Sequence, residues 1–293
     1  MSMKFDIIGH SKAWFILSSI IIMIGLVSMV TRGFNLGIDF AGGTILDLRF
    51  EQAVSVASVR DSLKHEQLEN STIQLAGDVN DGKSRNVFIR THALEDDQRR
   101  AVMSDLQKNV GSFEVLRIEK VGAVIGEELT MQAIWAILVS CVLMIVYISY
   151  RFEFRFAVSG IIALLHDVLI VLGVFSVFHL EIDSAFVAAL LTIVGYSIND
   201  TIVIFDRIRE NMKTHRRSES LHDMVDRSIW QTMTRSIYTV LTVIFATAAL
   251  FFFGGDTTKN FSLALLIGFF AGAYSSVFIA SPIWVWWKTT RPS

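Results

Sequence analysis

Six stretches of this chain are apolar for long enough to cross a bilayer, and one interval between them is patterned differently. The stretches are residues 13–30, 131–148, 156–178, 185–205, 237–253 and 261–287. A transmembrane helix needs about 20 such residues, and somewhat fewer suffice. Residues 32–128 instead break into short segments. Positions 45–50, 72–75, 86–90 and 113–121 read as strands, while 56–66 and 95–109 carry apolar residues three or four apart, as helices do. Asn80-Asp81-Gly82 marks a turn between the second and third strands. Strand–helix–strand–strand–helix–strand is the split βαβ order, so an α+β ferredoxin-like domain is predicted here. Paired glycines in Gly37-Ile38-Asp39-Phe40-Ala41-Gly42-Gly43-Thr44 predict a tight turn at its entrance. Gly122 and Gly126 predict a hinge over 121–128 at its exit.

The predicted architecture is a polytopic α-helical membrane protein. Residues 1–31 hold the N-terminus and first transmembrane helix, 32–128 the inserted domain, and 129–293 five further transmembrane helices. Residues 207–235 should form a surface connection. There, Ser220-Leu221-His222-Asp223 resembles a capping box, with Asp in the N3 place. Leu221, Met224, Val225, Ile229 and Met233 then share one face, the pattern of an amphipathic helix lying on the membrane. Trp14, Trp135, Tyr150, Trp284, Trp286 and Trp287 fall near predicted helix ends, as an aromatic belt does.

Composition agrees with a membrane protein: 52% of residues are hydrophobic and 18% charged, against about 25% charged in a globular protein. The net charge of -2 is less informative than where the charges lie. Basic residues concentrate at Lys4 and Lys12, at Arg151 and Arg155, at seven positions in 207–235, and at Lys288 and Arg291, whereas the opposite short loops hold Lys259 alone. By the positive-inside rule both termini are cytoplasmic and the inserted domain faces outward. These clusters are topology signals rather than a nucleic-acid patch. The single cysteine, Cys141, rules out an internal disulfide or a cysteine zinc site. No HExxH spacing, catalytic nucleophile, phosphate loop or cofactor motif is present, so no enzymatic activity is expected.

The chemistry concentrates in Thr192–Asn211, TIVGYSINDTIVIFDRIREN. Asp200 is a carboxylate inside an apolar run, which is costly unless it has a partner, water or a task. Thr192, Tyr196, Asn199 and Asp206 lie on or beside its helical face, and this stripe should look into a bundle. Ser159, Ala163, His166, Ile170 and Gly173 on the third helix, and Arg235, Tyr238, Thr239, Thr242 and Ala246 on the fifth, are expected to point at it. Arg235 enters from the same side and could reach Asp200. Burial favours the neutral acid and a guanidinium favours the carboxylate, so Asp200 could load and unload a proton, with Arg235, Asn199 and Tyr196 as companions. Its oxygens could also serve sodium. His166-Asp167 is a possible second relay. Asp206 reads as an interfacial charge beside Arg207 and Arg209. On the sixth helix, Ala264, Gly268, Gly272, Ser276 and Ala280 recur every four residues, a helix-packing seam.

These residues resemble the SecF family, the smaller membrane subunits of bacterial SecDF complexes within the RND superfamily. The likeness runs through Gly37–Thr44, through Gly195-Tyr196-Ser197-Ile198-Asn199-Asp200-Thr201 on to Phe205-Asp206-Arg207-Ile208-Arg209-Glu210-Asn211, and through Phe252-Phe253-Gly254-Gly255. The resemblance implies a six-helix half of a twelve-helix unit, completed by SecD. The pair would work with the SecYEG channel in the bacterial cytoplasmic membrane, using the proton motive force to promote polypeptide export. It implies SecD, SecYEG, exported polypeptide and membrane lipid as partners, no cofactor, and the family's proton-path acid and arginine at Asp200 and Arg235. An RND exporter half for small molecules or lipids is the alternative, although an insert of this size is small for a drug-binding vestibule. An intramembrane aspartyl protease would pair Asp167 with Asp200, but neither acid has that class's Tyr-Asp or Gly-x-Gly-Asp context.

Overall fold

The computed structural model describes residues 5–151, 153–215 and 219–290. Lys4, Arg216, Arg217 and Arg291 of the charge count lie outside the described residues. The element order is α1 (Ser11–Arg32), β1 (Gly43–Ser55), α2 (Val56–Leu63), β2 (Thr72–Ala76), β3 (Lys83–Thr91), α3 (Asp96–Asn109), β4 (Phe113–Val121), α4 (Ala123–Arg151), α5 (Phe154–Val177), α6 (Ser184–Lys213), α7 (Leu221–Phe253) and α8 (Asp256–Ser275). A π-helical turn at Ser276–Ala280 carries α8 into α9 (Ser281–Thr290). Among the described residues six helical spans are long and apolar enough to cross a membrane. Residues Leu36–Ile134 form one compact unit and the rest of the described chain another.

In the small unit the sheet order is β2-β3-β1-β4, antiparallel throughout. Alternation along β1 sends Leu46, Leu48 and Phe50 to the buried face, where Val87 and Ile89 of β3 join them. Val59 and Leu63 of α2 and Val102 and Leu106 of α3 close this core. The glycine pair does more than turn the chain. After one helical turn, Ile38–Ala41, Gly42 and Gly43 take φ of +72° and +140°. A Cβ on Gly43 would lie 2.5 Å from the Thr91 carbonyl oxygen. The hinge expected at 121–128 is absent, because α4 begins at Ala123 and runs through Gly126. Gly126 is needed for closeness instead: a Cβ there would sit 2.8 Å from the Phe40 carbonyl oxygen.

In the membrane unit, α1 packs on α5 where Gly25 meets Gly173, so close that a Cβ on Gly25 would be 2.8 Å from the Gly173 Cα. The third-helix stripe therefore does not look only at α6, since its Gly173 faces Gly25 and its His166 lies 2.9 Å from the Ser18 hydroxyl, both on α1. The small-residue seam of α8 lies on α6: Gly268 abuts Ile193, Gly272 abuts Ser197, and the Ser276 and Thr201 hydroxyls are 2.9 Å apart. The π turn follows from Pro282, which has no N–H for the regular ladder. The surface helix expected from the Ser220 cap through Met233, within the 207–235 connection, is also corrected. α6 continues to Lys213, and α7 is one helix from Leu221, N-capped by the Ser220 hydroxyl. Its Met224, Val225 and Ile229 are buried against Ile7, Ile8, Ile204 and Ile208 rather than laid on lipid.

Lipid is as apolar as these side chains, so close fit rather than water exclusion holds the bundle. Gly268→Leu should therefore lower the melting temperature of the purified protein in detergent, with overpacking costing about 1–3 kcal/mol. Gly195→Leu, with open space at its Cβ, should leave melting unchanged. Equal behaviour of the two would mean that the seam does not set the α6–α8 distance.

Candidate functional site

Asp200 sits midway along α6, with only 9% of its surface exposed. Its Oδ1 accepts a 2.7 Å hydrogen bond from the Ser236 hydroxyl of α7. Its Oδ2 has no hydrogen-bond partner among the described residues. It borders a cavity of about 30 Å³ lined by Tyr196, Asn199, Asp200, Val203, Arg235 and Thr239, enough for a water molecule. Val203 and Arg235 also line a larger cavity of about 330 Å³ with Tyr147, Arg151, Ile202, Asp206, Arg207, Glu210, Gln231 and Thr232. A half-satisfied carboxylate thus lies behind polar space that continues toward the charged end of α6.

Several sequence expectations change at this point. Among the described residues no ion pair joins Arg235 to Asp200; the arginine shares the cavity, and the direct partner is its neighbour Ser236. The inward face of α7 is Ser236, Val240 and Thr247, while Arg235, Tyr238, Thr239, Thr242 and Ala246 are exposed. Thr192, Asn199 and Asp206 are likewise exposed on α6, so this polar stripe looks out of the chain's own bundle. Tyr196 leans on Phe269, their ring centroids 4.6 Å apart. Asp206 is held by Arg209 at 2.8 Å, while Arg207 pairs with Glu210. One residue beyond Arg235, and so rotated about 100° around the helix, Ser236 occupies the buried position that supplies the donor. Its signal in the sequence was the 236, 240, 247 spacing, hidden beside the stronger charge pattern.

The other acid is more enclosed. Asp167 has no exposed surface; its Oδ2 accepts from Ser197 at 2.6 Å and Ser275 at 2.8 Å. His166 Nδ1 lies 2.9 Å from its Oδ1, and His166 Nε2 lies 2.9 Å from the Ser18 hydroxyl of α1. Ser18 is 3.3 Å from the Tyr274 hydroxyl, which donates to the Trp14 carbonyl at 3.0 Å. Four helices therefore meet in one buried polar network. Ser18 and Ser275 carried no sequence signal and Ser197 showed only as part of the family-like stretch, since a serine in a membrane helix is common as a packing residue. Asp167 and Asp200 have separate partner sets, which is not the shared-proton dyad of an aspartyl protease. Among the described residues no cluster of three or more His, Cys, Asp or Glu could hold a metal ion.

Residues 102–290 match the family described as protein export membrane protein SecD/SecF, C-terminal, and residues 27–54 match the SecD/SecF GG motif. A protein translocase subunit SecF of Acidaminococcus fermentans is 54% identical over 97% of this chain and 98% of its own length. The chain belongs to the SecF branch of the SecD/SecF family. A SecF of Haemophilus influenzae is 43% identical over 93% of this chain and 82% of its own. The crystal structure of SecDF from Thermus thermophilus, described as translocon-associated, superposes with a TM-score of 0.89 at 36% identity. It covers 98% of this chain, which spans 39% of that longer chain. The family match and the six spans make this a multi-pass membrane protein. The glycine pair at 42–43 falls inside the GG-motif match, which gives that motif its physical content: a left-handed turn pressed on the Thr91 carbonyl.

Proposed function

We propose that this chain is the SecF partner of a SecD-type subunit, and that together they use the proton motive force to promote polypeptide export through a SecYEG channel. The observation that carries the reading is Asp200, one oxygen held by Ser236 and the other facing a polar cavity inside an apolar helix. A group so placed changes charge at membrane depth when it binds a proton, and that change can bias two packings of the bundle. Arg235 lines the same cavity, and Asn199 and Tyr196 line the space through which a proton would arrive. The exposed polar stripes on α6 and α7 support a second half, because polar groups at this depth need a protein or water neighbour rather than lipid. That a single solved SecDF chain contains this chain's likeness within 39% of its length supports the same partner. In this reading the protein lies in the bacterial cytoplasmic membrane with both termini inside. The small domain, ferredoxin-like in its sheet order, lies outside, near the emerging polypeptide.

Inverted vesicles carrying the complex should export a preprotein faster with a proton gradient than after an ionophore collapses it. Arg235→Ala should displace the pH profile of that stimulation while leaving the complex assembled, because the cation that biases Asp200 is gone. A profile identical to the parent's would remove Arg235 from the relay. Stimulation that survives the proton ionophore but follows a sodium gradient would replace the proton with sodium at the same oxygens.

A further inference from the structure

Among the described residues Asp167 is the most enclosed carboxylate, and it takes no part in the Asp200 cavity. Its hydrogen bonds have a property that simple helix packing does not require. With His166 neutral, Nδ1–H donates to Asp167 Oδ1, and the Ser18 hydroxyl donates to Nε2. With one more proton on the ring, Nε2–H donates to Ser18, and the Ser18 hydroxyl turns to the Tyr274 oxygen. Tyr274 donates to the Trp14 carbonyl in both cases, and Ser197 and Ser275 hold Oδ2 in both. A single hydroxyl rotation therefore separates two fully satisfied arrangements. That matters because a buried polar group left unpaired costs about 1–3 kcal/mol.

We infer that His166 and Asp167 form a second proton-binding site, loaded through Ser18 and Tyr274 from the N-terminal end of α1. In loading, the Ser18 O–H bond breaks as its proton passes to Nε2. The Tyr274 hydroxyl swings for that moment from the Trp14 carbonyl to Ser18 and passes it a proton, and Tyr274 takes its replacement from a hydronium ion of the solvent at the first turns of α1, which leaves as water. The pair goes from a net charge of minus one to zero, and no electrons move. The groups facing it are Ser18 from α1, Ser197 from α6, and Tyr274 and Ser275 from α8; beyond the pair itself, Tyr274 is the one titratable side chain in this network among the described residues. Loading neutralises a charge at the meeting point of α1, α5, α6 and α8. Ser197, which anchors the carboxylate, precedes Asp200 by three residues, about 4.5 Å of helix rise. The inference concerns proton binding and stands whether or not Asp200 drives export.

Infrared pH-difference spectra of the full-length chain in lipid nanodiscs test it. A reversible signal combining imidazole-ring and carboxyl changes is expected. It should be lost in His166→Gln and in Asp167→Asn and retained in Asp200→Asn, and proton uptake after a pH jump should slow several-fold in Ser18→Ala. Asp167 anchors two neighbouring helices, so its variant could fail to fold; His166→Gln, checked by its melting temperature, then decides alone. A folded His166→Gln protein whose spectra superimpose on the parent's across the titration overturns the site. Loss of the signal in Asp200→Asn instead would assign the titration to the other acid and overturn it equally.

Discussion

Asp200→Asn removes the whole gradient-dependent part of export and leaves the complex assembled. Asparagine matches aspartate in volume and keeps an oxygen to accept the Ser236 hydroxyl at the 2.7 Å site. Helix packing and partner assembly should therefore survive. What disappears is titration: the oxygen that faces the cavity becomes a group that never changes charge. If proton binding at Asp200 is the coupling step, stimulation falls to the level seen with the gradient collapsed. Asp200→Glu keeps the acid but pushes its head about one methylene further into a 30 Å³ space, so it should retain part of the activity. The measurement is preprotein export into inverted vesicles, with assembly checked by co-purification of the SecD-type chain. Full stimulation by the assembled Asn variant would end the proton-relay hypothesis, whatever becomes of the rest of the fold.

Gly43→Val opens the small domain. Gly43 holds φ +140°, where a β-branched residue is strained. Its Cβ would lie 2.5 Å from the Thr91 carbonyl oxygen, a backbone atom that cannot swing away. Backbone strain and overpacking cost about 1–3 kcal/mol each. Together they are a large fraction of a small domain's stability, which is on the order of 5–15 kcal/mol. The first pairing of β1 with β3, Thr44 with Thr91, is adjacent to the clash and should be lost first. Hydrogen exchange of the full chain should show faster exchange for the amides around Leu46, Leu48, Val87 and Ile89. Gly82→Val is a useful contrast. It too needs a positive φ, but nothing lies within 4 Å of its Cβ, so it should exchange only slightly faster. Undiminished protection in Gly43→Val would show that the sheet end yields without cost.

The two acids show what a linear reading can reach. Asp200 stood out because a charge in an apolar run is visible in the order of residues alone. Its direct partner did not, because a hydrogen bond between α6 and α7 depends on how two helices are rotated, and Arg235 is the more conspicuous neighbour of Ser236. The stripes on α6 and α7 were legible as polar faces, but their direction was not. An inward stripe and a stripe awaiting a partner half have the same spacing. In the small domain, period-two and period-four patterns sufficed for the element order, since each strand and helix buries its own apolar face. The glycine pair was legible as a turn, though not as a clash-limited contact with Thr91, a residue 48 positions further along.

Six spans, one inserted α+β domain, the side on which the charges gather, the acid in the fourth span and the small-residue seam of the last follow from the sequence by itself. Each rests on a property local to one segment: length, periodicity, charge or residue size. Tertiary structure alone decided that Ser236 rather than Arg235 holds Asp200, that the apolar face of α7 is core, and that Ser18, His166, Asp167, Ser197 and Ser275 form one network. Those facts depend on helix rotation and offset, set by close packing at Gly25 on Gly173 and Gly272 on Ser197, where contact forms between residues that the chain order keeps far apart.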